Sequence, residues 1–213
     1  MTSRNWVKLF MSTLLVGGLT TGVVGFIVRW KEYESMFMAF DVPEILSVLF
    51  WLMGVGLIFS VLSQMGFFAY LTVHRFGLGI FKSHLLWNAV QVVLILFVVF
   101  DLVYLRYNAF AEKGDSLLPY IGLALIVLMA GLVIAAIKAK LTNKEAFIPA
   151  VFFMVVVTAL EWTPALRVNE ESWVYFMLFP LLVCNAYQLL ILHKLNEKSQ
   201  IQRQKIAAKK PTK

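Results

Sequence analysis

The 213-residue chain has one cysteine, three histidines and 15% charged residues, and each of these scarcities removes a class of protein. A single thiol, Cys184, gives no intrachain disulfide framework and no CxxC pair for zinc or dithiol redox chemistry. His74, His84 and His193 are scattered, none of them in an HExxH arrangement and none beside paired carboxylates, so no metal site is expected. No GxSxG-type segment prepares a nucleophile and no phosphate-cradling loop is present, which argues against an enzyme, a kinase included, and against any cofactor. Charge is well below the roughly 25% of an average soluble domain. No polar stretch is long enough to form a separate soluble domain.

What fills the chain instead is apolar: 61% of residues are hydrophobic, and the mean hydropathy is +0.81. A bilayer core about 30 Å thick is crossed by roughly 20 mostly apolar residues in a helix. Six runs meet that length: Trp6 to Val28, Ile45 to Val73, Leu85 to Tyr104, Leu118 to Ile137, Phe147 to Thr163 and Trp173 to His193. The expected fold is therefore an all-α integral membrane protein of the cell membrane, a bundle of six transmembrane helices over residues 1–193 with a basic tail at 194–213. The first run lacks a small-x-small cleavage pattern at its end, where Gly25-Phe26-Ile27-Val28-Arg29 stands, and so reads as an uncleaved span. The second would measure about 43 Å as helix, so it must tilt, bend near Gly66 or emerge at the inner interface.

Charge sets direction. Of the 19 Lys and Arg residues, 14 fall in the N-terminus, the 73–85 and 138–145 turns and the tail, which places both termini in the cytoplasm. Trp30, Tyr33, Tyr104, Tyr107, Tyr120, Trp162, Trp173 and Tyr175 then lie near outer ends as an aromatic belt. The net charge of +7 collects beside the spans, where anionic lipid is a nearer partner than nucleic acid; the tail is the strongest such segment. It has too few apolar residues to promise an amphipathic face.

Polar side chains inside apolar runs are functional candidates because they are costly there. Asp101 and Glu161 sit near outer span ends within reach of Arg106 and Arg167, which suggests interfacial ion pairs, with a proton- or ligand-responsive role as the alternative. His84, Asn88 and Gln91 are spaced i, i+4, i+7 on one face of the third span. Asn185 and Gln188 share a face of the sixth, and Ser60, Ser63 and Gln64 cluster on the second. Interhelical hydrogen bonding is the simpler reading, and a polar cavity between the second, third and sixth spans is the sharper one. Gly18, Gly22 and Gly25 form a small-residue face on the first span, suited to close packing within the bundle; Gly131 and Ala135 repeat it more weakly.

Three stretches resemble a known family: ILSVLFWLMGVGLIFSVLSQMGFFAYLTVHRFGLGIF (Ile45 to Phe81), KEAFIPAVFFMVVVTALEW (Lys144 to Trp162) and MLFPLLVCNAYQLLILHKLNEKS (Met177 to Ser199). They resemble the KbaA family of bacilli, the KinB-signalling-pathway activation proteins, over the spans from SRNWVKLF to about Ser199. The resemblance implies a multi-pass membrane protein that promotes signalling through a membrane sensor histidine kinase feeding the sporulation phosphorelay. It brings no catalytic residues. A small transporter or ligand-binding membrane sensor, using the polar faces, is the alternative function.

Overall fold

The computed structural model describes residues 2–112 and 114–208, and these form helices joined by short turns, with no strand among the described residues. The long elements are α1 (Ser3–Val28), α3 (Val42–Phe81), α4 (His84–Phe110), α5 (Leu118–Leu141), α6 (Lys144–Val168) and α7 (Glu171–Ala208), with a short α2 (Trp30–Met38) after the first. Among the described residues, six helices are long and apolar enough to cross a membrane, and each contains one of the runs read from the sequence. The boundaries follow local chemistry. Asp41 accepts a hydrogen bond from the Glu44 amide and Pro43 occupies the first turn, so α3 starts there. Lys82 in the left-handed region (φ 50°) stops it, and Ser83 at once caps α4, leaving a two-residue turn.

The second run does not break at Gly66: α3 is one helix of 40 residues, about 60 Å long at 1.5 Å per residue. Two segments relax into wider π turns, Asp101–Leu105 within α4 and Phe153–Val157 within α6. The helix of the sixth run also has no break at His193. It continues to Ala208, with Leu195 and Ser199 buried. Residues 2–5 and 195–202 meet there: Asn5 Nδ2 donates to Ser199 Oγ at 2.7 Å, the Thr2 amide donates to the same oxygen, and Thr2 Oγ1 donates to Gln202 Oε1. Much of the expected tail is thus helix docked on α1, while Lys209, Lys210 and Lys213, which carry part of its basic charge, lie outside the described residues.

α1 packs against α3 and α7, and the spans of α6 and α7 are the most enclosed, with Val151 to Val157 of α6 buried throughout. Small residues decide how closely α1 approaches. A Cβ on Gly17 would collide with Ser60 Oγ and lie 2.9 Å from Cys184 Sγ. On Gly25 it would come to 2.6 Å from Leu52, and on Gly22 to 2.9 Å from Leu49. Gly18, one of the three expected contact residues, has ordinary clearance of 3.5 Å, so the tightest contact falls one residue earlier, at Gly17. All of these neighbours belong to the same chain. Gly131 and Ala135 perform the same service for α5, with a Cβ at Gly131 only 2.9 Å from Val155.

Candidate functional site

The polar residues of α3, α6 and α7 converge in the interior. Ser63 lies on α3, Thr158 and Glu161 lie three residues apart on α6, and Asn185 and Gln188 lie three apart on α7, so each pair shares a helix face. Gln188 Nε2 donates to Ser63 Oγ (2.6 Å), and Ser63 Oγ donates to Asn185 Oδ1 (2.7 Å). Asn185 Nδ2 donates to Thr158 Oγ1 (2.9 Å) and to Glu161 Oε2 (2.6 Å). Four side chains are thus strung in one direction, Gln188 to Ser63 to Asn185 to Glu161, across three helices. Ser60 extends the cluster to Cys184 Sγ at 3.7 Å. None of these residues is more than 4% exposed.

Gly66 explains how a glutamate fits into this core. A Cβ at that position would collide with Glu161 Oε1, so the bare backbone of α3 provides the recess for the carboxyl group. Gly66, one place where a bend was possible, makes room for a side chain. Glu161 is therefore an interior residue partnered by Asn185, and the expected interfacial ion pair with Arg167 does not form. Asp101 is exposed and is not paired with Arg106, whose guanidinium donates to Asn169 Oδ1 and lies over the Tyr120 ring. Asn169 is held for that contact in the left-handed region that ends α6 (φ 54°). Gln64 is buried at 2% exposure, and neither end of its amide has a partner among the described residues.

The third span does not join this cluster. Gln91 Nε2 lies 3.4 Å from His74 Nδ1, which also accepts from Trp87 Nε1 at 3.0 Å. Gln91 is fully buried, Asn88 half-buried and His84 exposed, so the three do share a face, but it meets α3 near His74 rather than Asn185. The polar core is built by the second, fifth and sixth spans rather than the second, third and sixth. Thr158 went unnoticed in the sequence, although its i, i+3 relation to Glu161 was visible. The spacing could have shown a shared face, but not that Asn185 would bridge it.

Among the described residues no group of three or more His, Cys, Asp or Glu side chains is placed to hold a metal ion. What the buried cluster can do is fix the register of three helices. Each of its bonds fails if one helix slides or rotates, because short side chains have little reach. No solved structure matches the chain. The chain is 55% identical over 194 residues to a Bacillus subtilis (strain 168) protein named KinB-signaling pathway activation protein, an overlap covering 91% of this chain and 98% of that one. Residues 17–195, which include every residue of the polar core, match the model of a family described as KinB-signalling pathway activation in sporulation; the chain belongs to that family, KbaA.

Proposed function

We propose that the protein is a multi-pass protein of the cell membrane that promotes signalling through a KinB-type membrane sensor histidine kinase in the sporulation phosphorelay, acting by contact and not by catalysis. The observation that carries this reading is the 55% identity, over nearly the whole length of both chains, to the B. subtilis protein of that name. The distribution of side chains supports the membrane setting. On α1 the outward stripe is Val7, Met11, Leu15, Leu19, Val23 and Ile27, each more than half exposed, while Thr13, Gly17 and Thr21 face inward. Apolar outside and polar inside suits a lipid solvent and would be costly in water.

Charge supports an orientation: the segments at the end where residues 2–5 and 195–202 meet are the basic ones, which argues for that end facing the cytoplasm with the tail near anionic lipid. Transport would call for a polar route near the midplane between broken helices. The polar residues there are buried and, Gln64 apart, bonded to one another; α3 and α7 run past them unbroken, and α6 widens into a π turn at Phe153–Val157 without unwinding. A closed core of this kind favours an accessory role, with helix faces left to contact a partner. Promotion requires that the protein bind the kinase's signalling conformation more tightly than its resting one.

Deleting the gene is expected to lower spore yield severalfold in cells whose only sporulation kinase is the membrane enzyme, with little effect in cells relying on a soluble one. Spore counts and kinase immunoblots in both backgrounds provide the check. An equal loss in both would indicate a general envelope defect and end the pathway-specific reading.

A further inference from the structure

Lys138, in the last turn of α5, is 8% exposed, and among the described residues no carboxylate pairs with it. Its Nζ donates to the Leu189 carbonyl of α7 at 2.7 Å, a neutral acceptor that leaves the charge uncompensated and two of the three ammonium donors free. A buried cation without a counter-ion costs several kcal/mol and is a functional candidate by default in a membrane protein. The side chain borders a cavity of about 300 Å³, at the small end of the range for small-molecule pockets, into which five of the six long helices or their ends contribute.

Two other polar groups on this lining have donors free. Trp87 donates to His74 Nδ1, and because indole can only donate, the neutral His74 ring carries its proton on Nε2 and keeps that donor. Asn143 uses its Oδ1 to accept from the Ala146 amide at 3.0 Å, which leaves its NH2 group to donate. Asn88 and His84 complete the set, and the acid on the lining, Glu145, is exposed. A buried ammonium on the lining of a cavity that also carries imidazole and amide donors is the arrangement that recognises an oxyanion with several acceptor oxygens.

We propose that this cavity between α3, α4, α5, α6 and α7 binds a phosphate group anchored by Lys138, carried either by a small soluble molecule or by a lipid headgroup. The proposal concerns binding to the protein itself and does not rest on kinase signalling. The test follows thermal unfolding of the full chain, purified in a neutral detergent, during titration with inorganic phosphate at constant ionic strength and, separately, with phosphatidic acid in the micelle. The variants are Lys138→Met and, as a control on a nearby exposed cation, Lys140→Met.

A saturable shift in the wild type and Lys140→Met, lost or at least tenfold weaker in Lys138→Met, is the expected result. Inorganic phosphate producing it points to a soluble ligand, and phosphatidic acid alone to a lipid. No saturable shift in the wild type with either probe overturns the proposal, and so does the same shift in Lys138→Met, since excluded salts stabilise any folded protein. If Lys138→Met does not accumulate, Asn88→Leu decides: a tenfold weaker midpoint supports the site, and an unchanged one overturns it.

Discussion

Replacing Asn185 with leucine is expected to destabilise the bundle by about 2 to 5 kcal/mol, because three hydrogen bonds are lost at once and interhelical bonds in membrane proteins average about 0.6 and reach about 1.7 kcal/mol each. The substitution leaves Thr158 without the bond it accepts, Ser63 Oγ without an acceptor and Glu161 Oε2 without a donor, all in the interior. Orphaned buried groups bear their own desolvation cost, which puts the expected value in the upper part of that range. Glu161→Gln is the informative companion. It keeps an oxygen able to accept from Asn185 Nδ2 and should lose under about 1.5 kcal/mol. Unfolding of both variants in detergent, together with their abundance in membranes, checks the pair. Equal loss in the two would mean that the carboxylate charge, and not the Asn185 bridge, holds the core.

The second large effect is expected at Gly17. A leucine there must displace Ser60 and Cys184 from the contact where α1, α3 and α7 meet, and overpacking of this kind costs about 1 to 3 kcal/mol or more. A loss of 1 to 2 kcal/mol changes cellular abundance severalfold, so the variant should be scarce in membranes. Gly18→Ala, whose Cβ would sit 3.5 Å from Leu57, should accumulate normally. Immunoblots of membrane fractions distinguish the two. Normal amounts of Gly17→Leu would show that α1 can stand further from α3 than the structure places it.

The contrast between Gly17 and Gly18 shows what the sequence conveys and what it withholds. Long apolar runs specify where helices form, because length and hydropathy are local properties; all six were legible. Which side of a helix meets which neighbour is not local, and in chains such as α5, apolar almost all round, periodicity carries little direction. Gly17 and Gly18 are adjacent, and only the placement of Ser60 and Cys184 decides which of them cannot carry a side chain. The same reasoning applies to the polar core. Glu161, Asn185, Gln188 and Gln64 stood out by their cost in an apolar run, but Gly66 as the recess for Glu161 could be seen only once α6 lay against α3.

Polar residues near helix ends were the least legible, since a position there suits lipid contact and tertiary contact equally. Asn5 and Ser199 look like ordinary interfacial residues, yet they bond each other across 194 residues of sequence and fasten the continuation of α7 to α1. Lys138 reads as one more inner-side charge that helps orient a span, and only its burial against Leu189 separates it from exposed Lys140.

The proposed mode of action is contact between the bundle and a membrane sensor kinase. Photo-crosslinking in living cells tests it most directly, with the photoreactive residue placed at outward apolar positions such as Leu15, Leu19, Val93 and Leu96. The expected result is a crosslinked product containing the kinase from one helix face and not from all, formed under sporulation conditions. Abundant, stable protein that yields no kinase product from any outward position, in cells where the kinase still depends on it, would contradict the claim.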